Sequence, residues 1–237
     1  MEHFKLGDIN VEVIQKDIKN VHLSVHPPVG RVRIAAPSRM NMDTIRIYAI
    51  SKLSWIKKQQ TKILNQKREA PREYLTKESH YYLGKRYLLK VIELDTVPIV
   101  NLTHNTIELY VRPGSPIEKR KEVLENWYRE QLRELVGGMI AHWEKKMKVK
   151  VEEFGIKKMK TKWGTCNEEA KRIWLNFELA KKPLECIEYI VVHELVHLKE
   201  RHHNDKFVAH MNHYLPTWKQ LKADLNKLPV SHIDWSY

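Results

Sequence analysis

The sequence predicts an α+β protein, in which a β-rich N-terminal region with one long helix precedes a region of helices around a small sheet. Three observations carry this prediction. Apolar residues alternate at period two through the first forty residues, they change to helical spacing from Asp43, and a strong helix start stands at residues 115–118. With 237 residues, 42% of them hydrophobic and 30% charged, the chain has the composition of a globular protein, which excludes a disordered one.

The charge balance is basic. The chain has 42 Lys and Arg against 29 Asp and Glu, a net charge of +13, and such an excess builds a positive field that favours polyanionic partners. Its two cysteines, Cys166 and Cys186, cannot form a disulfide framework and indicate a reducing compartment. The N-terminus does not resemble a signal peptide, and no apolar run approaches the eighteen or so residues of a membrane span. We therefore expect a cytoplasmic protein without a membrane partner.

The residue pattern of the N-terminal region predicts strands followed by a helix. Strands are predicted at residues 11–14, 21–25 and 32–34, with turn chemistry at Pro27–Gly30. Helical spacing then runs from Ile45 to Ile63, and either Asn41 or Asp43 is expected to cap this helix.

A second β-rich stretch covers residues 82–111, and Pro113-Gly114 after it is the best position for a domain boundary. We thus predict two domains, residues 1–114 and 115–237. Ser115 and Glu118 form a capping-box pattern with a proline between them, which predicts a helix from this point to about Lys148. Gly137-Gly138 is a weak point inside that helix.

The C-terminal part is expected to contain a strand at Arg172–Phe177 and a helix from Leu184 to about Lys199. Two shorter helices should flank Pro216. The helix at 184–199 has an apolar face formed by Ile187, Ile190, Val191 and Leu195, so we expect it to be buried.

This buried helix carries the sequence His193-Glu194-Leu195-Val196-His197. Residues four apart point the same way on a helix, so both imidazoles can reach one metal ion, and zinc suits nitrogen ligands. Glu194 is placed to take a proton from a water molecule that the metal activates. The alternative is a helix with two surface histidines and no ligand, which the apolar flanks disfavour because burying these groups unliganded is costly.

A catalytic zinc needs a third protein ligand. No glutamate follows Glu200, whereas histidine is abundant downstream, which favours a three-histidine site. The candidates are His202, His203, His210, His213 and His232.

Several motifs together resemble the YgjP-like zinc metallopeptidases, which are related to the SprT-like and WLM proteases. In chain order these are Trp163–Cys166, Ile173–Asn176, Pro183–Glu185, Tyr189–Leu198, His203 with Phe207, and then Tyr214, Pro216 and Trp218. Thr165 and Val208 depart from the residues common in the family, but neither is a proposed ligand.

The resemblance implies a minimal zincin with a long backing helix, a small sheet and the metal-binding helix, holding one zinc ion per chain. It implies His193, His197 and His203 as ligands and Glu194 as the catalytic base. We further predict that Trp163, Gly164 and Asn176 bind substrate. An extended peptide pairs with an edge strand in such enzymes, and Arg172–Phe177 is the expected strand. Cys166 and Cys186 are expected to be small buried hydrophobic residues.

Metal binding by His203 requires the helix to end before this residue. At about 100° per residue, neither histidine would face the metal on a continuous helix, so the chain must turn back after Lys199. Asn204 or Asp205 can then cap a following helix, with His203 just before its first turn and Phe207 packed inward.

Three functions fit these features. A zinc-dependent peptidase acting on protein or peptide is the leading hypothesis. A zinc-dependent nucleotide phosphohydrolase is the second, since the basic run Lys157–Lys162 lies close to the motif region and could bind nucleotide phosphates or nucleic acid. A non-catalytic, zinc-stabilised nucleic-acid-binding module is the third, although it would not need Glu194.

Overall fold

The computed structural model describes residues 2–27, 29–65, 72–159 and 162–229. These residues fall into two compact units, residues 2–65 and residues 72–229. The α+β class is confirmed: the described ranges contain three small mixed sheets and six α-helices.

The first unit is a four-stranded sheet with two helices. Its strands are β1 (Glu2–Leu6), β2 (Ile9–Lys16), β3 (His22–His26) and β4 (Arg31–Pro37), in the order β1-β2-β4-β3. Only the β2–β4 pairing is parallel. Alternate residues of the strands form a separate core with Ile45, Ala49 and Ile56. The three predicted strands are confirmed, and β1 is an additional one.

The prediction of one continuous helix from Asp43 is wrong. It is divided into α1 (Met42–Ser51) and α2 (Leu53–Asn65), separated by a turn at Lys52. Asn41 caps α1, because its side-chain oxygen accepts a hydrogen bond of 2.8 Å from the Thr44 amide.

The second unit begins with another four-stranded sheet. Its strands are β5 (Ser79–Tyr82), β6 (Lys85–Glu93), β7 (Ile99–Leu102) and β8 (Thr106–Val111), in the order β5-β6-β8-β7. The long helix α3 (Ile117–Met147) packs against β7 and β8 and is unbroken at Gly137-Gly138.

The predicted domain boundary after Gly114 is therefore wrong. Leu89, Ile107 and Leu109 of this sheet share one continuous core with Leu124 and Tyr128 of α3. The sheet and the helix bury their apolar faces against each other, so the chain divides before residue 72 instead.

The predicted capping box at the start of α3 is also wrong. Ser115 donates its hydroxyl to the carbonyl oxygen of Arg112 at 2.6 Å, within the turn at Pro113-Gly114. Pro116 occupies the cap position, and no side chain caps the helix there.

The rest of the second unit surrounds a three-stranded sheet of β9 (Glu153–Lys157), β10 (Gly164–Asn167) and β11 (Arg172–Asn176), in the order β10-β11-β9. A short 3₁₀ helix (Phe177–Lys181) leads to α4 (Leu184–Val196), which packs against α3, β10 and β11. The predicted helices that flank Pro216 are confirmed as α5 (Asp205–Tyr214) and α6 (Trp218–Lys227). In the described ranges no helix combines the length and apolar character that crossing a membrane requires.

Candidate metal centre

Helix α4 holds the first two predicted ligands. Nine of its residues are buried, which fixes the helix between α3 and the small sheet. His193 and His197 lie one turn apart on its partly exposed side, and their ring centroids are 5.0 Å from each other. The helix ends at Val196, three residues earlier than predicted, and His197 is its C-terminal cap.

The chain then turns back and brings His203 to the same point. The amides of Lys199 and Glu200 donate to the carbonyl of Val196, which closes the helix end. Asn204 caps α5 by accepting a hydrogen bond of 3.0 Å from the Phe207 amide, as one of the two predicted caps. His203, just before that cap, has its Nε2 atom 3.0 Å from Nε2 of His193.

His193, His197 and His203 thus form the group that could hold a metal ion, with one nitrogen from each ring lying within 4.8 Å of the other two. Phe207 packs against all three rings, with centroid distances of 4.9, 4.8 and 4.6 Å. The buried phenyl ring of α5 therefore supports the three imidazoles from one side. His202, in contrast, is exposed and does not belong to this group.

The protonation of these rings suits a metal site. Burial, together with the neighbouring His197 and His203, lowers the pKa of His193 to about 3. Burial also lowers the pKa values of His197 and His203. All three imidazoles are therefore neutral at pH 7, which is the form that binds a metal.

The tautomer of His197 is suitable as well. Its Nδ1 atom lies 3.2 Å from the carbonyl oxygen of Glu200. A proton on Nδ1 would donate to that carbonyl and leave Nε2 free as a ligand, which is the arrangement typical of zinc-binding histidines. The donor set and its supporting contacts thus fit a zinc ion.

Glu194 lies beside the three histidines and is only 5% exposed. Burial raises the pKa of its carboxyl group to about 8, against a smaller opposing effect of the Lys162 cation. The backbone of Gly164 is so close that a Cβ atom there would lie 2.6 Å from Oε1 of Glu194. The absence of a side chain at 164 gives this carboxylate its space.

The three histidines and Glu194 line a cleft of about 650 Å³. Strand β10 forms one wall of it, since all four of its residues, Gly164–Asn167, line the cleft. The predicted substrate-binding residues Trp163 and Gly164 are among the lining residues. Cys166 lines it too, and burial raises the pKa of its thiol to about 12, in keeping with a structural and non-nucleophilic residue.

Asn176 occupies a different position from the one expected of a substrate-binding residue. It is 5% exposed and does not line the cleft. Its Nδ2 atom donates to the carbonyls of Met159 and Lys162, at 2.9 and 2.7 Å, and so holds these two residues, which precede β10. Contact between Asn176 and a substrate stays an untested prediction.

The prediction that the strand at Arg172–Phe177 pairs with an extended substrate is wrong. Arg172–Asn176 forms β11, which lies in the middle of the sheet with β10 on one side and β9 on the other. Its backbone groups are already paired on both sides. The edge strand beside the cleft is β10, which the sequence analysis did not identify as a strand.

The predicted basic surface is only partly at the cleft. Lys158 pairs with Glu125 at 2.6 Å, and the Lys157 ammonium lies 4.7 Å from the centre of the Trp174 ring. Lys160 lies outside the described residues. Lys162 lines the cleft.

Several lining residues were not predicted to belong to the site. Tyr189 is the one that a sequence signal could have found, because it precedes His193 by four residues on the same helix face. Arg201 and Lys222 reach the cleft from the turn after α4 and from α6, which only the tertiary structure brings there.

Comparison with known proteins places these features in a family. The family model described as "YgjP-like, metallopeptidase domain" matches residues 19–228. The crystal structure of the metallopeptidase zymogen of Pyrococcus abyssi abylysin is 20% identical, with 38% of this chain and 90% of that chain covered and a TM-score of 0.36. The corresponding zymogen of Methanocaldococcus jannaschii jannalysin is 21% identical, with 40% and 92% covered and a TM-score of 0.33. No curated protein matches. Because the family model spans most of the chain, including the whole cleft, this protein belongs to the YgjP-like metallopeptidase family.

Proposed function

We propose that this protein is a zinc-dependent peptidase in which His193, His197 and His203 hold one zinc ion and Glu194 is the general base. The observation that carries the proposal is the convergence of three neutral imidazoles and one buried carboxyl group in a single cleft. Membership of a metallopeptidase family supports the peptidase over the phosphohydrolase and the non-catalytic module.

A zinc ion held by the three histidines would supply Lewis acidity and lower the pKa of a water molecule. The chain contributes the remaining functions. Glu194 accepts a proton at one carboxylate oxygen and can return it to the leaving amine. The cation of Lys162 favours the ionised carboxylate of Glu194 and so counteracts part of the pKa-raising effect of burial.

We propose that the substrate lies in extended form along β10. An edge strand has unpaired N–H and C=O groups that can add a further strand, and β10 is the edge nearest to Glu194. Trp163 and Gly164, at the start of this edge, would contact the residues next to the bond that is cleaved.

The test compares zinc-loaded wild-type protein with Glu194→Gln on casein-like and histone-like substrates, and in parallel on nucleoside triphosphates. Glutamine keeps the shape of the side chain and cannot accept the proton, so peptide hydrolysis should fall about 10²- to 10⁴-fold. Zinc content and melting temperature should stay close to those of wild type. Glu185→Gln is the matched control, since Glu185 is exposed at the other end of the same helix.

Two outcomes would contradict the proposal. Peptide turnover of the Glu194→Gln variant close to that of wild type would exclude Glu194 as the base. Loss of nucleoside triphosphate hydrolysis in that variant, with no peptide cleavage by wild type, would replace the peptidase with the phosphohydrolase.

We also propose that the protein acts in the cytoplasm. Cys166 and Cys186 are both unpaired thiols, as expected in a reducing compartment. Fractionation of cells that express the full chain would test this proposal.

A further inference from the structure

The cleft beside Glu194 carries an uneven distribution of charge. Among the described residues, and apart from those of the metal site, its charged lining consists of Lys162, Arg201 and Lys222 and of Glu168 and Glu169. Arg201 and Glu168 form an ion pair of 3.0 Å and largely neutralise each other. Two lysines and one glutamate therefore remain to act on a bound substrate.

Lys162 lies at the end of the cleft where β10 begins. Its backbone carbonyl accepts the 2.7 Å hydrogen bond from buried Asn176, which holds this residue in place two positions before Gly164. Its side chain is exposed to solvent and lines the cleft together with Glu194. A cation is thus present beside the proposed base.

Lys222 approaches the same site from another element. It belongs to α6, which packs against α4 and is anchored in the core by Leu225. Lys222 lines the cleft together with His193 and His203. The side chain is exposed in the cleft, so a substrate can reach it.

The opposite end of β10 has the opposite charge. The strand ends at Asn167, and the turn after it contains Glu168, paired with Arg201, and the exposed Glu169. An extended peptide alongside β10 therefore passes a cation at one end and an anion at the other.

We propose that Lys162 and Lys222 make this cleft selective for peptides that carry an acidic side chain close to the cleaved bond, on the side that passes Lys162. The inference rests on the proposed peptidase function and assigns its substrate class. Lys162 precedes Gly164 by two residues, so its charge acts within about two residues of the cleaved bond. On the other side of the cleaved bond, Glu169 disfavours acidic residues of the substrate and favours basic ones.

The experiment uses one quenched fluorogenic peptide that wild type cleaves, with a single aspartate moved through three positions on each side of the cleaved bond. Asparagine at the same positions is the neutral, nearly isosteric reference. We expect aspartate to be preferred about two- to fivefold at one or two positions on one side only, as an effect on KM with kcat little changed. On the other side aspartate should be neutral or unfavourable.

Variants assign the preference to the lysines. Lys162→Gln should abolish most of the preference, Lys222→Gln should reduce it, and Lys162→Glu should reverse it in favour of lysine at that position. Because each result is a ratio between two peptides, a general effect of the variant on Glu194 cancels. Lys219→Gln is the matched control: Lys219 is exposed on α6 and does not line the cleft, so the preference should persist.

A binding measurement separates this inference from the proposed function. Fluorescence anisotropy of labelled aspartate and asparagine peptides on zinc-loaded Glu194→Gln protein reports the preference without turnover. Equal binding and equal kcat/KM for the two peptides, or a preference that survives Lys162→Glu, would overturn the inference while leaving the peptidase intact. Selective binding of the aspartate peptides that is lost in Lys162→Glu would support the charge selectivity independently of turnover, whereas the absence of peptide cleavage by wild type would contradict the proposed function.

Discussion

The backbone of Gly164 lies directly against the carboxylate of Glu194, and a Cβ atom at position 164 would come within 2.6 Å of Oε1 and 2.9 Å of the carboxyl carbon. The edge strand β10 and helix α4 therefore approach each other at Glu194, the proposed general base. Since Gly164 does not have a positive φ, its requirement is one of space and not of backbone conformation.

We predict that Gly164→Ala displaces the Glu194 carboxylate and lowers kcat at least about tenfold, because a small misplacement of a catalytic group is costly. Zinc content should be unchanged, since the three atoms nearest to a Cβ at position 164 all belong to Glu194. Metal analysis and steady-state kinetics check both parts. Gly138→Ala, where a Cβ meets nothing within 4 Å, is the control, and a fully active Gly164→Ala variant would contradict the close approach.

His203 is predicted to be the third zinc ligand. His203→Ala should lose bound zinc after dialysis against buffer with one equivalent of the metal, whereas His202→Ala should retain it. The reason is that Nε2 of His203 lies 3.0 Å from Nε2 of His193, while His202 is exposed outside the group. Loss of zinc in His202→Ala with retention in His203→Ala would reverse the assignment.

Asn176 is predicted to stabilise the segment before β10. Asn176→Ala removes the side-chain hydrogen bonds to the carbonyls of Met159 and Lys162 and the bond of 3.1 Å from the Glu178 amide. It should lower the free energy of unfolding by about 2–3 kcal/mol. Denaturant unfolding measures this, with the exposed Asn126→Ala as control. An unchanged stability with a raised KM would instead indicate direct contact with substrate.

The buried His80 should make stability dependent on pH. Burial, with the nearby cations Arg72 and Lys181, lowers the pKa of His80 to about 3 in the folded protein, compared with about 6.5 when unfolded. Between these values the unfolded chain binds more protons. The contribution of His80 to the free energy of unfolding is therefore full above about pH 6.5. It is lost as the pH falls, by up to about 1.4 kcal/mol per pH unit.

Chemical unfolding of metal-free protein from pH 7 to pH 4 measures this slope. His80→Gln should show a shallower slope than wild type, whatever its absolute stability, because the group that titrates is gone. The same substitution at the exposed His142 controls for the change of side chain. Identical slopes for wild type and His80→Gln would contradict the assignment.

The elements that could be predicted are those specified by neighbouring residues. Alternating residues predicted β2, β3 and β4, and the cap at Asn204 with Phe207 three residues later predicted the start of α5. The pair His193 and His197 follows from the helical repeat alone, since residues four apart share a face. His203 was expected from the resemblance to the YgjP-like metallopeptidases, and helix geometry added only that the helix must end before it.

The sequence by itself therefore determined the helix of the candidate metal site, its two histidines and Glu194, because these depend on spacing within one element. Only the tertiary structure decided that β10 is the edge strand and β11 the central one, and that Gly164 makes room for Glu194. It also placed the sheet of residues 79–111 in the same core as α3. Strand order and core membership depend on contacts between residues far apart in the chain, and local periodicity contains no information on which distant element is the neighbour.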